Sequence, residues 1–315
     1  MSANPLPQSA EYPTTCRFEI TLRCMLACDG CFTSDLARGE ELPLERITSL
    51  ATALHGRGVT GVSLIGGEPL LRADVVDIVT TFAALDMNVR LVTSGIGGPR
   101  AGRRLAAAAR HVDLVVLSID EVAPIVGGFR DPRALRRNLD ALATLAHAGV
   151  SVAVAAVVHP GNLGAMEDVA REVAARGATS VQFQFKIQTG SDGGPPLWPP
   201  DDVPEVSARF RDGIARASAW LPTRPSPPLL REGLQEQGLL ERFLRKQLTG
   251  AEPLTCHFLD TLCLDPSGRQ IVCPFIRPTS DDDTRRRRQS LATSSRLPVG
   301  CEGCCGLMKT GGKHE

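Results

Sequence analysis

Short apolar runs alternate with amphipathic stretches along the first 190 residues of the chain. The apolar runs are rich in Val, Ile and Leu and are short enough for buried strands; they cover residues 17–22, 61–65, 89–93, 112–119, 152–158 and 180–185. The stretches between them carry Ala, Leu and Arg with helical periodicity; they cover residues 43–57, 73–85, 100–110, 132–148 and 164–176. This alternation predicts repeated βα units around a parallel sheet.

Six such units are fewer than the eight that close a complete barrel. The pattern therefore predicts an α/β fold, a partial (β/α)6 TIM-like barrel with its active site at the carboxyl ends of the strands. Polar segments follow several of these strands and should meet at that edge. They are Gly66-Gly67-Glu68-Pro69 and residues 93–95, 118–120 and 159–162.

The composition changes after residue 186, where Gly and Pro cluster in residues 190–204 and four more prolines fall within residues 222–228. We interpret these segments as linkers or lids beside helical stretches at 206–220 and 232–248. Trp198 lies between two proline pairs, where it either covers a ligand or, as is more common for loop aromatics, packs on the barrel wall. The pattern divides the chain into a tail (1–15), the barrel (16–190), a Pro-rich linker with helices (191–250) and a small C-terminal domain (251–315) that begins with a β-hairpin at 262–272.

Charge and composition exclude some classes of partner. The 315 residues include 35 basic and 35 acidic side chains, so no net field attracts nucleic acid or an anionic membrane. The mixed charge run at 281–288 fits a solvated loop. We find no signal peptide and no apolar run long enough to cross a membrane. The expectation is a cytoplasmic protein with small-molecule or peptide partners and without nucleic-acid or membrane binding.

Ten cysteines in a reducing compartment favour metal or redox chemistry over disulfides. Cys24, Cys28 and Cys31 follow the first predicted strand at CxxxCxxC spacing. Three thiolates can hold an iron-sulfur cluster while one iron stays open to another ligand. Half of a structural zinc site, which normally closes with four Cys or His ligands, and plain buried thiols are the alternatives. These three residues alone do not decide among them.

Residues 18–70, with CxxxCxxC after strand one and GGEP after strand two, resemble the radical S-adenosylmethionine (SAM) superfamily. The resemblance implies that Cys24, Cys28 and Cys31 hold a 4Fe-4S cluster and that the amino and carboxylate groups of SAM bind its fourth iron. It further implies a set of SAM contacts: Gly66, Gly67 and Glu68 with the methionine ammonium, Ser94 and Ser118 with ribose or sulfonium. Two positions depart from the family pattern. Gly30 replaces the usual aromatic whose backbone contacts adenine, although Phe32 follows, and Thr93-Ser94-Gly95 replaces Thr-Asn-Gly.

The C-terminal cysteines are similar to the auxiliary-cluster extension of these enzymes in its short "twitch" form, rather than the longer "SPASM" form. The resemblance implies four ligands of a second 4Fe-4S cluster: Cys256, Cys273, Cys301 and Cys304. A zinc site with the same thiols is the alternative. Cys263 is either a rival ligand or, as in radical epimerases, a hydrogen donor to the substrate radical. Cys16 and Cys305 are expected to behave as small hydrophobes.

The implied reaction is reductive cleavage of SAM to a 5′-deoxyadenosyl radical, which abstracts hydrogen from a C–H bond. A flavodoxin- or ferredoxin-type protein would supply the electron. Because strand one follows the N-terminus closely, no leader-binding domain is expected. The leading hypothesis is therefore oxidation or epimerisation of a small polar natural-product intermediate, such as an aminocyclitol or sugar derivative in antibiotic biosynthesis. Modification of a ribosomally made peptide is the alternative, and a non-catalytic zinc or iron-sulfur binding module is the second.

Polar residues after strands four and five are weaker candidates. Asp120 and Glu121 either bind substrate or, more commonly for such residues, cap a helix N-terminus. His159 contacts SAM or substrate, or, as most lone loop histidines do, lies at the surface. Arg130 is a comparable candidate for binding a carboxylate.

Overall fold

The computed structural model of the chain describes residues 13–26, 28, 31, 33, 39–95, 98–123, 134–186, 197–226, 234, 238–245, 254–256, 261–272 and 307–309. Its strands are β1 (Thr15–Thr21), β2 (Gly61–Gly66), β3 (Asn88–Thr93), β4 (Leu114–Ser118), β5 (Val152–Val158), β6 (Ser180–Phe185), β7 (Thr223–Ser226), β8 (Leu254–Cys256), β9 (Thr261–Leu264), β10 (Gln270–Ile271) and β11 (Leu307–Lys309). Its α-helices are α1 (Leu44–His55), α2 (Val75–Ala83), α3 (Gly98–Ala108), α4 (Ala134–His147), α5 (Met166–Ala175), α6 (Val203–Ala217) and α7 (Leu239–Leu244). Within these residues, no helix is both long enough and apolar enough to cross a membrane.

Strands β1 to β7 run parallel and side by side, in chain order. Because each βα unit returns the chain to the same end of the sheet, the carboxyl ends of the strands share one edge. The six predicted strands and the first five predicted helices all occur, with ends within two residues of the predicted ones. The α/β partial-barrel prediction is confirmed.

The outer face of the sheet forms the core with the helices. Phe18, Leu64 and Leu91 alternate with inward residues and are fully buried. Helix α1 covers them with a stripe of apolar residues at helical spacing, Ile47, Ala51 and Leu54. Trp198 packs edge to face on Phe185, with ring centroids 5.5 Å apart, so it covers the barrel wall as loop aromatics commonly do.

The inner face combines polar residues, mainly on β1 to β3, β6 and β7, with apolar residues, mainly on β4 and β5. The register aligns Arg17 with Ser63 and Ser63 with Arg90, and it aligns Gln184 with Ser226 further round the barrel. Residues in register point to the same face, whereas their neighbours in sequence point to the core. The interior therefore offers hydrogen-bonding groups and charge beside an apolar strip that includes Val116 and Ala153.

Two parts of the sheet lie outside the predicted barrel. Strand β7 lies in the Pro-rich segment that we expected to be a linker; it is the last strand of the sheet, where a proline is tolerated. The predicted C-terminal hairpin forms as β9 and β10, and β9 pairs in parallel with β1, so the hairpin continues the barrel sheet. Strands β8 and β11 form a separate antiparallel pair. The division of the chain into domains stays a prediction.

Candidate active site

The cysteine loop leaves the carboxyl end of β1. Cys24, Cys28 and Cys31 are all half-buried, and none of them forms a disulfide bond. The Leu26 N–H donates to Cys24 Sγ at 3.4 Å, and the Cys31 N–H donates to the Cys28 carbonyl at 3.3 Å. Burial raises the pKa of the Cys24 thiol, the Leu26 N–H opposes this rise, and the charges of Glu68, Cys31 and Cys28 add to it. Cys28 and Cys31 thus lie close enough to Cys24 to affect its thiol electrostatically.

Gly66 and Gly67 lie directly against the backbone at the start of this loop. A Cβ on Gly66 would lie 2.0 Å from the Thr21 carbonyl oxygen, and a Cβ on Gly67 would lie 2.4 Å from that of Arg23. Backbone hydrogen bonds of 2.8 Å run from Gly67 N–H to Thr21 O and from Glu68 N–H to Arg23 O. Only glycine permits this approach, so the first role of the pair is to position the cysteine loop.

The Glu68 carboxylate is fully buried and accepts four hydrogen bonds. Oε1 accepts from the Leu70 N–H at 3.0 Å and the Thr93 hydroxyl at 2.5 Å. Oε2 accepts from the Ser94 N–H at 2.8 Å and the Ser94 hydroxyl at 2.5 Å. Burial raises the pKa of Glu68, and these donors oppose the rise. Glu68 therefore joins the loop after β2 to the loop after β3; its contact with an ammonium group stays a prediction.

The two ends of the cysteine loop are joined by charged side chains. Arg23 binds the Glu41 carboxylate through Nε at 2.8 Å and Nη2 at 3.0 Å, and the Thr21 hydroxyl donates to the same carboxylate at 2.5 Å. Arg72, 4% exposed, donates to the carbonyls of Ile20 at 3.0 Å and Leu42 at 2.9 Å. It also forms an ion pair with Asp74. One buried guanidinium thus holds both the entry and the exit of the loop.

Asp120 and His159 lie at the same edge of the sheet, at the ends of β4 and β5. Asp120 Oδ1 accepts from the Val157 N–H at 2.8 Å, and α4 begins fourteen residues later at Ala134, so the helix-capping interpretation is wrong. His159 is only 4% exposed, so the surface interpretation is also wrong. The reason is Asn162, which bonds the His159 N–H and the carbonyls of Asp120 and Val157 and so folds the segment onto the sheet.

The remaining predicted SAM contacts are placed in part. Ser94 is 8% exposed and its hydroxyl donates to Glu68. Ser118 ends β4, half-buried on the inner face, and its carbonyl accepts from Asn138 Nδ2 at 2.8 Å. Gly30, Phe32 and Arg130 lie outside the described residues. The contacts predicted for these serines stay predictions.

The C-terminal candidates are less fully described. Cys273, Cys301, Cys304 and Cys305 lie outside the described residues. Cys256 ends β8, where the backbone pairs with Leu307, three residues beyond Cys304. Cys263 is 1% exposed on β9, level with Arg17 of β1. It thus lies four residues, about 13 Å, below the end of β1 from which the cysteine loop leaves. Its role as a hydrogen donor stays a prediction. Cys16 packs in the core, as expected for a small hydrophobe.

Sequence reasoning missed three residues that organise this edge: Arg72, Glu41 and Asn162. Arg72 and Glu41 are of residue types that usually lie in solvent, and the ion pair between Arg72 Nη1 and Glu41 Oε2, 3.9 Å long, joins positions 31 apart. The available signal was the position of Arg72, four residues after Glu68 in the same loop. Asn162 had the usual signature of a turn residue after a strand.

Within the described part of the chain, no three Cys, His, Asp or Glu side chains are arranged as a metal site, so the cluster on Cys24, Cys28 and Cys31 stays a prediction that the chemistry of the loop supports. Three half-buried thiols lie on one short loop, a backbone N–H donates to one sulfur, and a glycine pair holds the loop from below. Together with the parallel sheet, they define a partial βα barrel with a loop of three cysteines at the carboxyl edge.

Comparison with known proteins identifies the family. Residues 18–173 match the model of the Radical SAM superfamily. These residues, just under half of the chain, form a radical SAM domain. The chain is 36% identical over 169 residues to a PqqA peptide cyclase of Streptomyces rochei, covering 52% of this chain and 46% of that protein. It is 32% identical over 168 residues to a PqqA peptide cyclase of Methylorubrum populi, covering 50% and 43%. The chain thus spans less than half the length of these relatives.

Solved structures share the fold at lower identity. SuiB of Streptococcus suis bound to its precursor peptide SuiA has a TM-score of 0.62 and 13% identity, covering 89% of this chain and 64% of that one. The protein anSMEcpe with bound AdoMet and a Kp18Cys peptide has a TM-score of 0.63 and 17% identity, covering 92% and 86%. At these identities the likeness is one of fold.

Proposed function

We propose that the chain is a radical SAM enzyme that modifies a ribosomally made peptide. The observation that carries the proposal is the cysteine loop, held on the glycine pair of GGEP at the carboxyl edge of a radical SAM domain. The named relatives are peptide cyclases, and the two solved structures of this fold hold peptides. These comparisons favour the peptide alternative over the small polar substrate, oxidation or epimerisation that we first expected.

Cys24, Cys28 and Cys31 would hold the 4Fe-4S cluster, and SAM would bind beside them. Once bound, the cluster supplies the electron that cleaves SAM to the 5′-deoxyadenosyl radical. The residues of the chain supply the arrangement. Gly66 and Gly67 fix the loop, and Glu68 keeps Ser94 in place above β3. An auxiliary 4Fe-4S cluster on Cys256, Cys273, Cys301 and Cys304, and a flavodoxin- or ferredoxin-type donor, complete the proposal.

The inner face of the barrel supports a peptide substrate. Gln182 and Gln184 follow each other on the inner side of β6, half-buried and in register with Arg224 and Ser226 of β7. An amide side chain both donates and accepts hydrogen bonds. Because each residue of an extended peptide presents one donor and one acceptor, such side chains can bind its backbone whatever its side chains are.

Anaerobic reconstitution with iron and sulfide tests the function. We expect reduction-dependent release of 5′-deoxyadenosine and loss of hydrogen mass from a peptide, tried with the PqqA peptide and with peptides encoded beside the gene. Cys28→Ala should abolish both, whereas Cys16→Ala, which alters a core thiol, should retain them. Turnover with aminocyclitols or sugars and with none of the peptides would contradict the peptide assignment. Stoichiometric zinc without nucleoside release would establish the binding-module alternative.

A further inference from the structure

The turn of the β9–β10 hairpin touches the exit of the cysteine loop. The Leu42 N–H donates to the Pro266 carbonyl at 2.8 Å. A Cβ on Gly268 would lie 2.7 Å from Leu42 Cδ1, so the Leu42 side chain lies directly on the turn. The Leu42 carbonyl accepts from Arg72. Both backbone groups of Leu42 are therefore held, one by the hairpin and one by the guanidinium that also holds the entry of the loop.

The turn is a stiff element because Asp265 orders it from within. Asp265, 8% exposed, accepts from the N–H of Ser267 at 2.9 Å, its hydroxyl at 2.6 Å and the N–H of Arg269 at 3.0 Å. The Arg269 guanidinium binds the second oxygen at 3.0 and 3.2 Å. Such a turn, in which one carboxylate satisfies successive donors, presents a fixed surface to its neighbour.

The ion pair between Arg23 and Glu41, which also joins the two ends of the loop, is weak by itself. In the Arg23–Glu41 pair the side chains are 45% and 24% exposed. Exposed ion pairs contribute little to stability when they act alone, since water competes for both charges. The described residues at the two ends of the loop are therefore held by the backbone contacts of Leu42 as well as by this pair.

We propose that the β9–β10 turn is a brace that sets the conformation of the cysteine loop. The segment that leads to Cys273 and the loop that carries Cys24, Cys28 and Cys31 thus reach their working arrangement together. The brace acts through Leu42, which makes Pro266, Gly268 and Asp265 positioning residues. The inference goes beyond the proposed function, because it concerns how the loop is held and applies whatever the substrate is.

The test compares two glycines of equal backbone conformation. Gly268 has φ +78° and Gly149 has φ +77°, but a Cβ on Gly149 meets nothing within 4 Å. Alanine strains the backbone equally at both positions, and only Gly268→Ala also displaces Leu42. We expect Gly268→Ala to speed amide hydrogen exchange in residues 20–42 about tenfold, as local opening becomes easier, and Gly149→Ala to leave that segment unchanged. In the Leu42→Ala background, Gly268→Ala should add no further acceleration, because the clash is gone.

Exchange is measured by mass spectrometry on the full chain, before and after reconstitution, together with the rate at which a chelator removes iron. Equal exchange of residues 20–42 in Gly268→Ala and Gly149→Ala would overturn the brace. If Gly268→Ala does not fold, Asp265→Asn replaces it and must accelerate the same segment. Neither measurement requires turnover, so failure to modify a peptide leaves the inference intact and failure of the brace leaves the peptide function intact.

Discussion

Replacing Glu68 by Gln separates two roles of this carboxylate, a direct ligand of SAM and a connector between two loops. Both oxygens accept one backbone N–H and one hydroxyl, from Leu70 and Thr93 on one side and from Ser94 on the other. An amide nitrogen cannot accept a hydrogen bond. In Glu68→Gln the amide nitrogen replaces one of the two oxygens. At either position it faces a backbone N–H, whose direction is fixed by the chain and which then has no acceptor.

The magnitude follows from this geometry. One buried N–H left without an acceptor costs about 1–3 kcal/mol, and bonds to a neutral amide are weaker than those to a charged carboxylate by about 1 kcal/mol. We therefore expect Glu68→Gln to lower the free energy of unfolding by about 2–4 kcal/mol. Domains are stable by about 5–15 kcal/mol, so this is a large fraction of the total.

Urea denaturation of the protein before reconstitution measures this loss directly, because neither cluster nor SAM is then present. Ser94→Ala is the matched variant: it removes one hydroxyl but no backbone donor, and should cost about 1 kcal/mol. A Glu68→Gln protein as stable as the wild type, with weaker SAM binding after reconstitution, would refute the connector role and establish Glu68 as a direct ligand.

Three further predictions concern the same edge of the barrel. Arg72→Met should lower the free energy of unfolding by about 3–5 kcal/mol, because it leaves two buried carbonyls unpaired. The control Arg171→Met, which removes an exposed ion pair, should change it by less than about 0.5 kcal/mol. Equal effects of the two variants in urea denaturation would contradict the buried role of Arg72. Asn162→Ala should cost about 2–3 kcal/mol, since three hydrogen bonds are lost, and should raise the exchange of the His159 amide; unchanged exchange there would count against it. Although burial opposes the shift, Arg23 and Thr21 lower the pKa of Glu41 below its ordinary 4.5. A lowered pKa in the folded state contributes stability above pH 4.5 that is lost as the pH falls through the folded value, so the deficit of Glu41→Gln should be constant at neutral pH and shrink in acid; a deficit independent of pH would exclude an ionised Glu41.

The strands and helices of the barrel could be predicted because their signals are local. A parallel strand covered by helices is a short apolar run, as residues 152–158 are, and its helix carries apolar residues at regular spacing. Strand β7 gave no such signal, because Thr223-Arg224-Pro225-Ser226 has no apolar run and is recognisable as a strand only by its neighbour β6. The pairing of β9 with β1 joins distant parts of the chain, and no local pattern specifies it.

The candidate site likewise has a part that the sequence predicts and a part that it does not. The cysteine trio and the GGEP loop could be found from spacing, since each chemistry-bearing group lies within a few residues of the next. The contacts that hold them could not. Arg72 and Glu41 are of types that usually lie in solvent, and only the fold brings them together. For His159, contact with SAM or substrate and a surface position were both open, and its burial could not be predicted because it depends on the three hydrogen bonds of Asn162.

The pairing of β1 with β9 has a consequence for the newly made chain. Thr15 and Thr261 lie 246 positions apart, so a ribosome adding about 5–20 residues per second makes β9 roughly 12–50 seconds after β1. During that interval one edge of β1 is open on the nascent polypeptide and can pair with a strand of another molecule. Iron delivered in this period would meet cysteines whose exit residue, Leu42, still lacks Pro266. Assembly of the proposed cluster is therefore expected to follow release from the ribosome, and chains stalled before residue 261 are expected to aggregate and to lack iron.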